Sequence, residues 1–331
     1  MTHIDIKLAP ARLAQGDIDA VANPASLSMQ YYRPAAMQPG APLVVLLHGC
    51  RQHPERYAAD SGWLTLAQRH GFALLLPGQV GRNNPMSCFS WFDPAAVAPQ
   101  GGEAASILAM IDAMITQHGV DPQRVFISGL SAGGAMAVAL LAVAPGVFAG
   151  GGIIAGLPFG AAGSVSDALR AMRDPSPAGG PAWGDKVRAA APAPARRPPV
   201  SIWHGTADRT VAAANAEALE AQWADVQGLD PTRMVTQPFG AHACRLWHDE
   251  TGRVRLRRWT IAGLGHGTPI SPNAPEPDRR LGAVSRFMLE SEIGSTWLMA
   301  RDWGLLAFPP TGQAAMVQAT LRAAGLQPWR A

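Results

Sequence analysis

Ser131 lies in FISGLSAGGAM (126–136), flanked by Gly129, Gly133 and Gly134, directly after a short apolar run. A serine in a G-x-S-x-G turn between a strand and a helix can expose its hydroxyl as a nucleophile. A neutral hydroxyl attacks poorly, so this chemistry needs a base to take the proton and an acid to orient the base. Two later loops offer both. HGTADRT (204–210) places Asp208 four residues beyond His204, and AGLGHGTP (262–269) places His266 among glycines. An imidazole with its ordinary pKa of about 6.5 is largely neutral near pH 7 and can act as the base. A buried carboxylate would hold its tautomer and stabilise the imidazolium that forms. The reaction such a set performs is acyl transfer through a covalent intermediate.

Other residues compete for these roles. His48 and His204 both sit at strand ends, whereas His242 and His248 flank a hairpin and read as surface residues. Asp93, Asp112 and Asp121 are alternative acids, although Asp121-Pro122 reads as a turn before the nucleophile strand. Developing charge on a carbonyl oxygen needs donors. The backbone amides of Cys50, in LLHGCRQ (46–52), and of Ala132 are the expected pair. The histidines and cysteines show no metal-binding spacing, and GLSAGGAM lacks the lysine of a phosphate-binding loop. No metal or cofactor is expected.

The elements that must position these residues are legible as alternating patterns. Apolar runs at 43–48, 73–77, 125–128, 151–156 and 200–204 read as buried strands. Segments near 62–70, 103–118, 132–144 and 212–226 read as amphipathic helices between them. ACRLWHDETGRVRLRRWTI (243–261) reads as a hairpin, with the alternating arginines of its second half on a solvated face. The expected fold is α/β, a mostly parallel sheet covered by helices. In such a sheet the loops at the strand carboxyl ends converge on a ligand site. Ser131, Asp208 and His266 each follow a strand, in the chain order of an α/β-hydrolase. The chain, 1–331, reads as a single domain with a core at about 25–310. A Pro/Gly-rich insertion or lid spans about 157–199, and its part at 173–199 reads as irregular.

Composition excludes several other classes. The net charge of +3 comes mostly from arginine, with Lys7 and Lys186 the only lysines, and no basic patch suggests nucleic acid. No apolar stretch is long enough for a membrane span. The N-terminus lacks the pattern of a signal peptide, so a cytoplasmic protein is expected, secreted only if a leader has been removed. The expected partner is a small or oligomeric ester substrate.

LLHGCRQHPERYAADSGWLTLAQRHGFALLLPGQ (46–79), NNPMSCFSWFDP (83–94), VDPQRVFISGLSAGGAM (120–136), GLPFGAA (156–162), HGTADRTVAAANAEALEAQW (204–223) and GLGHGTP (263–269) together resemble the poly(3-hydroxybutyrate) depolymerase family of esterases. The resemblance runs, with gaps, from about 41 to about 305. It implies an α/β-hydrolase fold, action on carboxylic esters, and Ser131, Asp208 and His266 as nucleophile, acid and base. Close relatives in that family act on acetylxylan or feruloyl esters, which is the alternative reading. A catalytically idle binding protein is a third. Gly267-Thr268-Pro269 departs from the Ala-Trp-Ser found in many members and, with the tail at 287–306, points to a distinct branch. With neither the export signal nor the polymer-binding module of extracellular depolymerases visible, soluble oligomers or small esters are the expected substrates. Trp91, Phe92, Leu157 and Pro158 are expected near the acyl pocket, and Cys50 is expected to pair with Cys88 in a disulfide.

Overall fold

The computed structural model describes residues 13–16, 21–35, 37–175, 179–191 and 197–306. Its strands are β1 (Ala14–Gln15), β2 (Ser28–Tyr32), β3 (Ala41–Leu47), β4 (Ala73–Gly78), β5 (Val120–Leu130) and β6 (Gly150–Ile154). They continue with β7 (Val200–Gly205), β8 (Met234–Phe239), β9 (His242–His248), β10 (Val254–Ile261), β11 (Thr268–Ile270) and β12 (Met288–Glu290). The helices are α1 (Pro54–Asp60), α2 (Trp63–His70), α3 (Gly102–His118), α4 (Ala132–Val143), α5 (Val165–Arg173), α6 (Gly180–Ala190), α7 (Ala214–Val226) and α8 (Ser295–Asp302).

Ten strands form one sheet in the order β1-β2-β4-β3-β5-β6-β7-β10-β9-β8. The run from β4 to β10 is parallel, and antiparallel strands extend both edges. Leu43, Val45, Leu47 and Ile127 pack one face of this sheet against α3 and α4, while Val44, Leu46, Trp63 and Trp203 pack the other. Both faces being covered explains why β3, β6 and β7 are continuous apolar or small-residue runs without alternation. β11 and β12 form a separate parallel pair just beyond the His266 loop.

Three local expectations differ from the structure. α4 is buried over almost its whole circumference, so AGGAMAVALLAV carries no polar face. The second hairpin strand, β10, lies between β7 and β9; Arg253 before it is exposed and Arg255 half-buried, in keeping with a solvated face, but its other two arginines are paired with acids. Its Arg258 is buried against Glu220 (2.9 Å) and Glu217 (3.5 Å), and Arg257 pairs with Asp302 (3.2 Å). Alternation alone cannot distinguish a charge facing water from one neutralised inside. Finally, the 173–199 stretch contains α6, begun by Pro181 in its first turn, where a proline costs no helical hydrogen bond. Just before it, α5 starts at Ser164, whose side chain accepts the Asp167 amide.

Candidate active site

Ser131 joins the end of β5 to the start of α4 with φ 57° and ψ −119°, a strained conformation for a residue with a side chain. Neighbouring backbone holds it there. The Ser131 amide donates to the Ile154 carbonyl (2.8 Å), and its own carbonyl accepts the Ala135 amide (2.8 Å). The surrounding glycines are required by contact. A Cβ on Gly129 would collide with the Gly133 carbonyl, and one on Gly133 with the carbonyl oxygens of Leu47 and His48. Only glycine lets β3, β5 and α4 approach this closely.

Asp208 and His266 are brought together by a brace between their loops. Thr206 and Ala207 donate their amides to the carbonyls of Ile261 and Leu264, each at 3.0 Å, and Thr206 Oγ1 accepts the Gly263 amide at 2.9 Å. His242, expected at the surface, is mostly enclosed and accepts the Ala262 amide at Nδ1 (3.1 Å). Within this frame His266 Nδ1 lies 2.7 Å from Asp208 Oδ2. Asp208 Oδ1 accepts the amides of Thr210 (2.8 Å) and Val211 (2.9 Å).

Burial of Asp208 raises its carboxyl pKa, but hydrogen bonds from His204 and His266, the His266 charge and the Val211 amide outweigh this. Together they hold it well below the usual carboxylate range. His204 is therefore close to the acid. Its Nε2 donates to the Val211 carbonyl (2.9 Å) and stands 3.4 Å from Asp208 Oδ2. The i, i+4 spacing of His204 and Asp208 across one strand-end turn is the sequence signal for this contact, which the competing-base reading of His204 does not include.

A cavity of about 560 Å³ opens beside Ser131, and His266, Cys50 and Ala132 line it too. Asp208 lies behind His266, outside the lining. The amides of Cys50 and Ala132 have no protein acceptor among the described residues. Ala132 opens a helix, where free amides and the helix dipole favour negative charge. The Cys50 turn is shaped from both sides: Gln52 Oε1 accepts the Gly49 amide at 2.8 Å, and Cys50 is disulfide-bonded to Cys88. Beneath it, His48 Nδ1 donates to the Gly49 carbonyl (2.8 Å) and Nε2 accepts the Gln79 amide (3.1 Å). Burial pushes the His48 pKa down to about 4, so the ring is a neutral support and faces no reacting proton.

The remaining wall is mostly apolar. Trp91, Phe92 and Leu157 line it as expected, but Pro158 does not: it is buried beyond the cavity wall. The loop carrying Cys88 and Trp91 is pinned by buried Glu103, which accepts the Ser90 amide (2.8 Å) and the Gln79 side chain (2.7 Å). Val165, Leu169 and Met172 of the α5 region and Phe287 complete the wall. The Phe287 ring meets His266 edge-on, centroids 6.2 Å apart. These residues lie far from Ser131 in sequence and carry no motif, so only the fold reveals them. Asp93 and Asp121 cap turns through the amides of Ala95 and Gln123, and Asp112 is exposed on α3. His248 contacts the Arg233 carbonyl, away from the cavity. Among the described residues no cluster of histidine, cysteine and carboxylate side chains could hold a metal ion, and no helix is long and apolar enough to cross a membrane.

The sheet order and the cavity at its carboxyl edge define an α/β-hydrolase. Among solved structures, an acetyl xylan esterase from Aspergillus awamori superposes with a TM-score of 0.70 at 26% identity, covering 77% of this chain and 94% of that one. A poly(3-hydroxyalkanoate) depolymerase C from Paucimonas lemoignei is 37% identical over 288 residues, 86% of this chain and 68% of the relative. A feruloyl esterase B from Thermothelomyces thermophilus is 29% identical over 257 residues, 75% of this chain and 86% of the relative. The profile of the family described as Esterase PHB depolymerase matches residues 26–237. The chain belongs to that family, and it is a carboxylic ester hydrolase.

Proposed function

We propose that the chain, working as one unit, hydrolyses esters of short 3-hydroxyalkanoate oligomers through Ser131, His266 and Asp208. The observation that carries this reading is the strained Ser131 sharing one apolar cavity with a His266 whose Nδ1 is held by Asp208. With Nδ1 engaged, Nε2 is the nitrogen left to take the Ser131 proton as Oγ attacks the ester carbonyl. The amides of Cys50 and Ala132 then receive the oxyanion, each worth roughly 3 kcal/mol in hydrolases of this type. His266 returns the proton to the leaving oxygen, and water releases the acyl group by the same steps. The substrate class follows from the 37% identity to a relative named for poly(3-hydroxyalkanoate) and from a wall of Trp91, Leu157, Leu169 and Met172 that suits short branched acyl units.

The relatives named as feruloyl and acetylxylan esterases support a second reading, a sugar-linked ester. Comparing kcat/KM on a 3-hydroxybutyrate trimer, methyl ferulate and acetylated xylan separates them. The trimer should be preferred, and a preference for methyl ferulate or acetylated xylan would replace the proposal. The disulfide bears on location. Such bonds persist in oxidising compartments, so Cys50–Cys88 supports the exported alternative over the cytoplasmic expectation. Three free thiols in the unreduced, unfolded protein would remove that support.

A further inference from the structure

Two arginines, Arg51 and Arg286, line the cavity, and no aspartate or glutamate does. Neither arginine belongs to an ion pair among the described residues. The nearest partner of Arg51 is uncharged, with Nε and Nη2 each 3.4 Å from the Met86 sulfur. The Arg286 guanidinium lies 5.1 Å from the Phe287 ring. Arg257 and Arg258 of β10, by contrast, are matched with acids. Two exposed guanidiniums beside a mostly apolar cavity make a positive rim, suited to an anionic group on the ligand.

The position of Arg286 says which end of the substrate it meets, and Arg51 lines the same cavity. Arg51 directly follows Cys50, the proposed oxyanion donor, and its backbone is fixed at φ 60° with its amide on the Met86 carbonyl (2.8 Å). Arg286 directly precedes Phe287, whose ring packs on His266. His266 is the group that protonates the leaving oxygen, so Arg286 stands on the leaving-group side.

We infer that Arg51 and Arg286 recognise a free carboxylate on the leaving group, so that the enzyme cleaves 3-hydroxyacid esters from their acid end. This rests on the function proposed above. In such an ester the leaving oxygen and the terminal carboxylate are joined by a short carbon stem, whereas a sugar leaving group is neutral. The bond broken is the one between the acyl carbon and that oxygen. The acyl carbon passes to Ser131 Oγ, the proton moves through His266 to the departing alkoxide, and a free 3-hydroxyacid leaves. Water then returns Ser131.

The test compares a 3-hydroxybutyrate dimer as its free acid with the same dimer as its neutral terminal carboxamide, at low ionic strength. In wild type the acid should be preferred in kcat/KM by about tenfold, the scale of one charge-assisted contact. That ratio should fall several-fold in Arg51→Gln and in Arg286→Gln, approach one in the double variant, and shrink with added salt. A wild-type ratio near one, with both dimers cleaved, would overturn the carboxylate inference and leave the hydroxyalkanoate reading standing. So would a preference that the double variant keeps in full. Failure to cleave either dimer while p-nitrophenyl butyrate is hydrolysed would overturn the hydroxyalkanoate reading, and this inference with it.

Discussion

His266 Nδ1 and Asp208 Oδ2 stand 2.7 Å apart although 58 residues separate them, because the loops carrying them are bonded to one another through Thr206 and Ala207. Three backbone-amide hydrogen bonds between the loops hold the pair together without any contribution from substrate. Its geometry fixes the imidazole with Nδ1 toward the acid and Nε2 toward the cavity.

Asp208→Asn should therefore preserve the fold and damage turnover. An amide can present its NH₂ to Nδ1 and favour the wrong tautomer, a change worth about 10³–10⁴-fold in kcat for this class of site. KM on p-nitrophenyl butyrate should move little. His204→Phe should give a smaller loss, also in kcat, because it removes one of the two imidazoles bonded to the acid; His204→Gln, which keeps a donor, should recover part of it. Steady-state kinetics of the three variants check this order.

Gly133→Ala tests the elbow. A methyl there meets the backbone carbonyls of Leu47 and His48, which cannot turn aside as a flexible side chain could. The expected result is a loss of several kcal/mol, on the scale of overpacked cores or more, read by urea unfolding or by failure to accumulate folded protein. Gly49→Ala meets the end of the Gln52 side chain at 2.9 Å and should be milder in stability while still lowering kcat.

Much of this was legible in the chain. Ser131 and Asp208 each follow a strand whose apolar run marks it, His266 follows the second strand of a hairpin, and strand order in the sheet does the rest. What was not legible has physical reasons. Arg258 could not be told from a solvated arginine, because its partners Glu217 and Glu220 lie on a helix about forty residues earlier. α6 was obscured by Pro and Gly at its start. Leu157 and Pro158 read alike in the sequence, but only Leu157 of these two adjacent residues lines the cavity.

Acid should destabilise the protein through His48. Its pKa is about 4 when folded, against an ordinary value of 6.5. Below pH 6.5 the unfolded chain takes up a proton that the folded protein refuses until about pH 4. Stability is thus full above pH 6.5 and falls across that window, by about 3 kcal/mol from this group. Asp208 adds to the loss lower down: its folded pKa is depressed, so its contribution disappears as pH falls below the ordinary carboxylate value. Urea unfolding of wild type and His48→Gln between pH 7 and pH 4 should show a shallower slope in the variant, and equal slopes would contradict the assignment.

The central claim is that Ser131 is the nucleophile, and the most direct measurement is covalent labelling with a fluorophosphonate, followed by peptide mass analysis. The account predicts rapid modification at Ser131 in wild type. It also predicts no label and essentially no hydrolysis of p-nitrophenyl butyrate in a folded Ser131→Ala. Label on another residue, or full activity in the variant, would contradict it.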